Sequence, residues 1–268
     1  MDLGLQGRTA LVTGGSGGIG SEIVRQFAAE GANVVIQYRN NKAAAARLVE
    51  EIGSASCLAV AGDMSNEANV GEVFDEAVQR FAKLDVLVCC AGVWPPEPVS
   101  ISAMPVSQWQ STLETNLAST FLCCREFLRR VEKAPFEDPS IVLIGSTAGV
   151  FGEAGHADYA ASKSALSAGL MYSLKNEIVR IARRGRVNTV SPGWTLTAMA
   201  ESFSSDQNAV RKALATIPLR KVARPGDIAS AVLFLSSSAV AGHISGQNLV
   251  VSGGMEGRKL FAEAELAD

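Results

Sequence analysis

Histidine is scarce in this chain. Only His156 and His243 occur in 268 residues, and neither has a second ligand-type residue at a metal-binding spacing. No metal site is therefore expected, and packing roles are assigned to both. The cysteines are no better suited to a disulfide framework. Cys57 and the adjacent pairs Cys89-Cys90 and Cys123-Cys124 make an odd count with no CxxC, which points to reduced thiols in the cytoplasm. An excess of basic charge is also missing. With Lys+Arg 24 against Asp+Glu 27 the net charge is −3, so neither nucleic acid nor an anionic membrane is an expected partner. The long uncharged run 228–255 is interrupted by Ser, Gly, His, Gln and Asn, unlike a lipid-facing helix. The first eight residues lack both the basic and the apolar stretches of a leader, so no targeting segment is expected.

What is present is alternation. Short β-rich runs at 8–13, 33–38, 56–62, 84–90, 140–146, 186–191 and 248–252 are separated by helical patterns at 18–30, 41–52, 67–82, 106–132, 157–182 and 225–237. Several strand runs are continuously apolar, as in Val34-Val35-Ile36, which suits strands covered on both faces. Seven strands with crossover helices imply an α/β fold: a single Rossmann-type domain over 1–268 with a doubly wound, seven-stranded parallel sheet flanked by helices. Two segments depart from the alternation, Val93–Pro98 and 193–224. Both leave the carboxyl edge of the sheet, where open α/β sheets bind ligands. The second is expected to form a substrate lid, mobile around 196–212.

Between the first strand and first helix lies Thr13-Gly14-Gly15-Ser16-Gly17-Gly18-Ile19-Gly20. Glycines there let backbone N–H groups approach a pyrophosphate at a helix N-terminus. A second absence then selects the dinucleotide. No acidic residue occurs between Glu30 and Glu50, where an NAD site would place one on the ribose. The second strand ends instead in Arg39-Asn40. The expected cofactor is NADP(H), with Arg39 on the 2′-phosphate and Asn40 assisting.

Tyr159 and Lys163 stand four apart in Tyr159-Ala160-Ala161-Ser162-Lys163, on one face of a helix, with Ser146 thirteen residues upstream of the tyrosine. An ammonium beside a phenol is expected to lower a pKa that starts near ~10, fitting the tyrosine for proton transfer. The pattern suits reversible carbonyl reduction.

Taken together these segments resemble the short-chain dehydrogenase/reductase family over nearly the whole chain, and the 3-oxoacyl-carrier-protein reductases within it by pattern. The matching motifs are the glycine turn, Asp63 with Met64, Asn116 in Thr115-Asn116-Leu117, Ser146, Tyr159 with Lys163, and Pro192-Gly193-Trp194-Thr195-Leu196-Thr197. The resemblance implies hydride transfer from NADPH to a carbonyl while Tyr159 protonates the oxygen and Ser146 holds it. It also implies that Lys163 binds the nicotinamide ribose, that Asn116 anchors a relay water, that Asp63 and Met64 meet the adenine, and that 192–197 closes over the nicotinamide. Two departures stand out. Cys89-Cys90-Ala91-Gly92 replaces the family's NNAG, which puts sheet stability or cofactor affinity in question while leaving Cys90, Ala91 and Gly92 as backbone contacts. Ser252 replaces an Asp before the final Gly-Gly.

Trp94, Phe151, Trp194 and Met199, with Ser146 and Tyr159, are the expected substrate wall, favouring an apolar ketone or a 3-oxoacyl thioester. The resemblance implies a homotetramer, or a dimer, built on the helices at 106–132 and 157–182. The alternative is a dinucleotide-sensing or scaffold protein on the same fold without turnover.

Overall fold

The computed structural model describes residues 2–197 and 214–257. Seven strands, β1 (Thr9–Thr13), β2 (Asn33–Tyr38), β3 (Cys57–Ala61), β4 (Val86–Cys89), β5 (Ser140–Ile144), β6 (Arg186–Pro192) and β7 (Asn248–Val251), form one sheet in the order β3-β2-β1-β4-β5-β6-β7. Every pairing is parallel. The order reverses between β1 and β4, so the loops after these two strands diverge and open a crevice at their carboxyl ends.

Among the described residues the helices are α1 (Gly18–Ala29), α2 (Lys42–Ile52), α3 (Glu67–Phe81), α4 (Val106–Leu113), α5 (Ser119–Lys133), α6 (Thr147–Phe151), α7 (Ala157–Ser164), α8 (Met171–Ile181), α9 (Pro225–Ser236) and α10 (Ser238–Ala241). Strand residues alternate between two cores, one per face. Leu11, Val35, Leu87 and Cys89 join Phe74, Phe127, Met171 and Ile178 beneath α3, α5 and α8. Val12, Val34, Ile36 and Val88 join Ile23, Phe27, Ile228 and Val232 beneath α1 and α9.

The helical patterns at 106–132 and 157–182 are each divided by a π-helical turn, Glu114–Ala118 and Ala165–Leu170. Such turns shift the backbone register and occur often at functional positions. The first carries Asn116. Short α6 and α10 were not foreseen, since one-turn helices have no periodicity to read. Thr195 bridges to Ala223, with Leu196 N–H donating to Ala223 O (2.9 Å) and Ala223 N–H to Trp194 O (2.9 Å). These bonds tie together the two ends of the segment expected to be a lid; most of 196–212 lies outside the described residues.

Candidate active site

A cavity of about 770 Å³ opens at the carboxyl ends of the strands. Its floor is the glycine turn. Gly14 takes φ +64°, and a Cβ there would stand 2.8 Å from Ala91 Cα, so only glycine serves both the turn and the close approach of β4. Its N–H donates to Gln37 Oε1 (2.8 Å), whose Nε2 donates to Gly62 O (2.7 Å). This buried amide ties the turn to the end of β3. Thr13 Oγ1 accepts from the N–H groups of Cys90 (3.0 Å) and Ala91 (3.1 Å), fixing the backbone after β4. No side chain caps the N-terminus of α1. Its free N–H groups therefore suit an anion.

Arg39 lies 3.7 Å from Asp63 Oδ2, both side chains roughly half exposed at the cavity rim. Hydrogen bonds from Ser65 N–H and Oγ to Asp63 Oδ1 hold that carboxyl below its usual range, with Arg39 assisting.

Lys163 is buried and its Nζ donates to Ile144 O at the end of β5 (2.9 Å). Its Nζ is 5.7 Å from the centroid of the Tyr159 ring. Ser146 caps α6, its Oγ accepting from Ala148 N–H (3.1 Å), and it hydrogen-bonds Tyr159. The expectation of an acidified phenol does not hold in this state. Burial pushes Tyr159 up to about 12, with Ser146 opposing and Cys90 and Glu153 adding to the rise. Burial also pulls Lys163 down to about 8. Desolvation is the largest cause for both groups.

Asn116 is fully buried behind the cavity. Its Oδ1 accepts from Val93 N–H (2.7 Å), and its Nδ2 donates to Val93 O (3.0 Å) and Ser162 Oγ (3.1 Å). It clamps the loop after β4 to α7. Its backbone carbonyl accepts from Thr120 Oγ1 (2.9 Å).

Most expected residues converge here. Gly14, Ser16, Gly17, Ile19, Gly20, Arg39, Asn40, Asp63, Met64, Cys90, Ala91, Gly92, Trp94, Ser146, Tyr159, Lys163, Pro192, Gly193, Trp194, Thr195 and Thr197 all line the cavity. Three do not: Asn116 lies behind it, Gly18 backs onto Thr197, and Phe151 ends α6 away from the lining. Phe151, expected in the substrate wall, is the last residue of α6 and is not among the lining residues. Met199 lies outside the described residues. Thirteen further residues line the cavity, among them the polar side chains of Gln37, Asn41, Ser65, Glu153 and His156. Of these five, Asn41 carried a local signal as the N-cap of α2, accepting from Ala44 N–H (3.1 Å). The Cys89 departure is absorbed by the core. Its sulfur is 4.0 Å from Cys124 Sγ among apolar side chains, where a thiol needs no strong partner.

A dinucleotide crevice with serine, tyrosine and lysine at its inner end defines a class of oxidoreductase. The family described as Enoyl-(Acyl carrier protein) reductase matches residues 14–256. A 3-oxoacyl-(acyl-carrier-protein) reductase from Synechocystis is 32% identical over 254 residues, 94% of this chain and 98% of the relative. One from Vibrio cholerae is 35% identical over 254 residues, 94% and 99% of the two chains. Among solved structures, a short-chain glucose/ribitol dehydrogenase from Brucella melitensis superposes with a TM-score of 0.85 at 29% identity, over 93% of this chain and 97% of the other. A short-chain type dehydrogenase/reductase from Mycobacterium ulcerans gives 0.86 at 27%, over 93% and 90%. The chain belongs to the short-chain dehydrogenase/reductase family and is an oxidoreductase acting on the CH–OH group.

Proposed function

We propose that this enzyme interconverts a carbonyl and an alcohol using NADP(H), with a 3-oxoacyl thioester or an apolar ketone as substrate. The single observation that carries the reading is the meeting of Ser146, Tyr159 and Lys163 in the cavity floored by the glycine turn. The residues fit the dinucleotide: uncapped N–H groups of α1, a turn only glycine can make, and a half-exposed arginine at the adenosine end. Held there, the dinucleotide would supply the hydride donor for a carbonyl carbon and the hydride acceptor for the reverse reaction.

The chain's own residues do the rest. Tyr159, with its phenol at about 12, is protonated at neutral pH and is poised to give its proton to the carbonyl oxygen. Ser146 donates a hydrogen bond to the same oxygen as its charge develops. Lys163, charged below about 8, binds the ribose hydroxyls and stabilises the phenolate left by proton transfer. Asn116 fixes the loop after β4 and so the floor against which the ribose rests. Arg39 and Asn40 take the 2′-phosphate.

The test is NADPH oxidation with aldehydes, cyclic ketones, quinones and 3-oxoacyl thioesters. Tyr159→Phe is expected to lose about 10²–10⁴-fold in kcat. Tight NADPH binding by the wild type with no turnover anywhere in that set would favour a dinucleotide sensor.

Assembly is proposed through α5 and α8, where Phe121, Tyr172 and Val179 remain 46%, 49% and 49% exposed. A homotetramer is expected in sedimentation, with a dimer as the alternative. Four of the five thiols are buried and all are free, which agrees with a reducing cytoplasm. Among the described residues no helix is long and apolar enough to cross a membrane.

A further inference from the structure

His156 is 6% exposed, yet it lines the cavity, and its Nδ1 is buried without a hydrogen-bond partner. A buried polar atom left in that state costs about 1–3 kcal/mol. The imidazole contributes no cap to α7, although it occupies the N-cap position. Its surroundings are rigid. His156 N–H donates to Glu153 O (3.1 Å), and Val99 N–H donates to Gly155 O (2.8 Å). A Cβ on Gly155, at φ +81°, would meet Pro98 Cβ at 2.6 Å, so the loop before α7 is pressed against the segment that carries Trp94. The Trp94 ring lies 3.9 Å from the imidazole and 4.6 Å, edge-on, from the Tyr159 ring. His156 precedes Tyr159 by three residues, which puts both on one side of the helix start. The cavity thus offers two polar points about one helical turn apart against a shared indole.

We infer that His156 is a specificity-determining residue, donating a hydrogen bond to a second, neutral carbonyl oxygen and so selecting 1,3-dicarbonyl compounds over monoketones. This rests on the reading of the site as a carbonyl reductase and deepens it. The orphaned nitrogen is buried, so the entering substrate must uncover it beside Trp94. Burial lowers the pKa of His156, so the ring is a neutral donor rather than a cation at neutral pH. The Glu153 carboxylate lies within electrostatic reach of Tyr159 on the same wall. The second oxygen is accordingly neutral, as in a thioester, and a free carboxylate is disfavoured.

The experiment compares kcat/KM for the acetoacetyl thioester of N-acetylcysteamine with that for 2-hexanone. His156→Phe keeps a ring against Trp94 and removes both nitrogens, while His156→Gln restores an N–H donor. The thioester-to-ketone ratio is expected to fall about tenfold in His156→Phe and to recover in His156→Gln. The same ratio in wild type and His156→Phe would overturn the inference, as would equal use of acetoacetate and its thioester. Should the wild type reduce neither ketone, the reductase reading fails. The subsite is then judged by thioester quenching of Trp94 fluorescence in the presence of NADP⁺, with Trp94→Phe as the control for the other two tryptophans. Quenching in wild type but not in His156→Phe supports the subsite; its absence, or its persistence in His156→Phe, overturns it.

Discussion

Replacing Arg39 by alanine isolates the one charge expected to read the 2′-phosphate. In the structure its guanidinium faces Asp63 at 3.7 Å. Two unit charges at that distance interact by about 1 kcal/mol in bulk water and about 4–5 kcal/mol at an effective dielectric of about 20. Both side chains are roughly half exposed, so the net value of this pair is about 0–1 kcal/mol. A phosphate near −2, with oxygens spaced for the guanidinium fork, competes well against a single carboxylate. Charge-assisted hydrogen bonds of this kind contribute about 1.5–3 kcal/mol. Arg39→Ala should therefore lower kcat/KM for NADPH by about 10–150-fold while changing that for NADH by less than about threefold. Initial rates with each coenzyme at a fixed saturating ketone measure this, and the gap should narrow as salt is raised. A proportional loss for both coenzymes, or a wild type that uses NADH as well as NADPH, would refute the assignment.

The pH profile has a definite sign. Reduction needs a protonated phenol, and with Tyr159 near 12 that form persists far above neutrality. Lys163 loses its charge as pH rises through about 8, so kcat/KM for reduction should be level near pH 6–7 and decline above about 8. A rate still climbing at pH 10 would contradict this. Alcohol oxidation needs the phenolate, and is expected to be slow at neutral pH and to rise with alkalinity. Restoring the family asparagine at the first cysteine of the pair, Cys89→Asn, should destabilise the protein by about 1–3 kcal/mol, because an amide would enter an apolar cluster without partners. Urea unfolding measures the change, and an unchanged midpoint would show that the site can satisfy it. The four buried thiols, with Cys57 pushed up to about 11 by burial, should react slowly with a thiol reagent at pH 8 until the protein is unfolded.

Much of this protein was already legible in its residues. Continuous apolar runs in strands and glycines at the first turn follow from local backbone and burial rules. They gave the parallel sheet, the dinucleotide crevice and the Tyr159–Lys163 helix face without any long-range information. The absence of an acid after β2 pointed to Arg39 in the same way. Other features depend on groups far apart in the chain. Burial of Tyr159 and Lys163 reversed the expected direction of the phenol's pKa, because desolvation depends on what β4, β5 and the loop after β4 bring around them. Asn116 became a clamp because a π-helical turn aims its amide at Val93. Cys89 found its place only against Cys124, thirty-five residues away. His156, read from sequence as packing, is indeed buried, yet folding also set it in the cavity wall beside Trp94 and Tyr159. Sequence alone determined the strands, the long helical segments and their order, since those rest on neighbouring residues; tertiary structure decided the electrostatics and the substrate wall, since these arise from distant segments sharing one water-poor space.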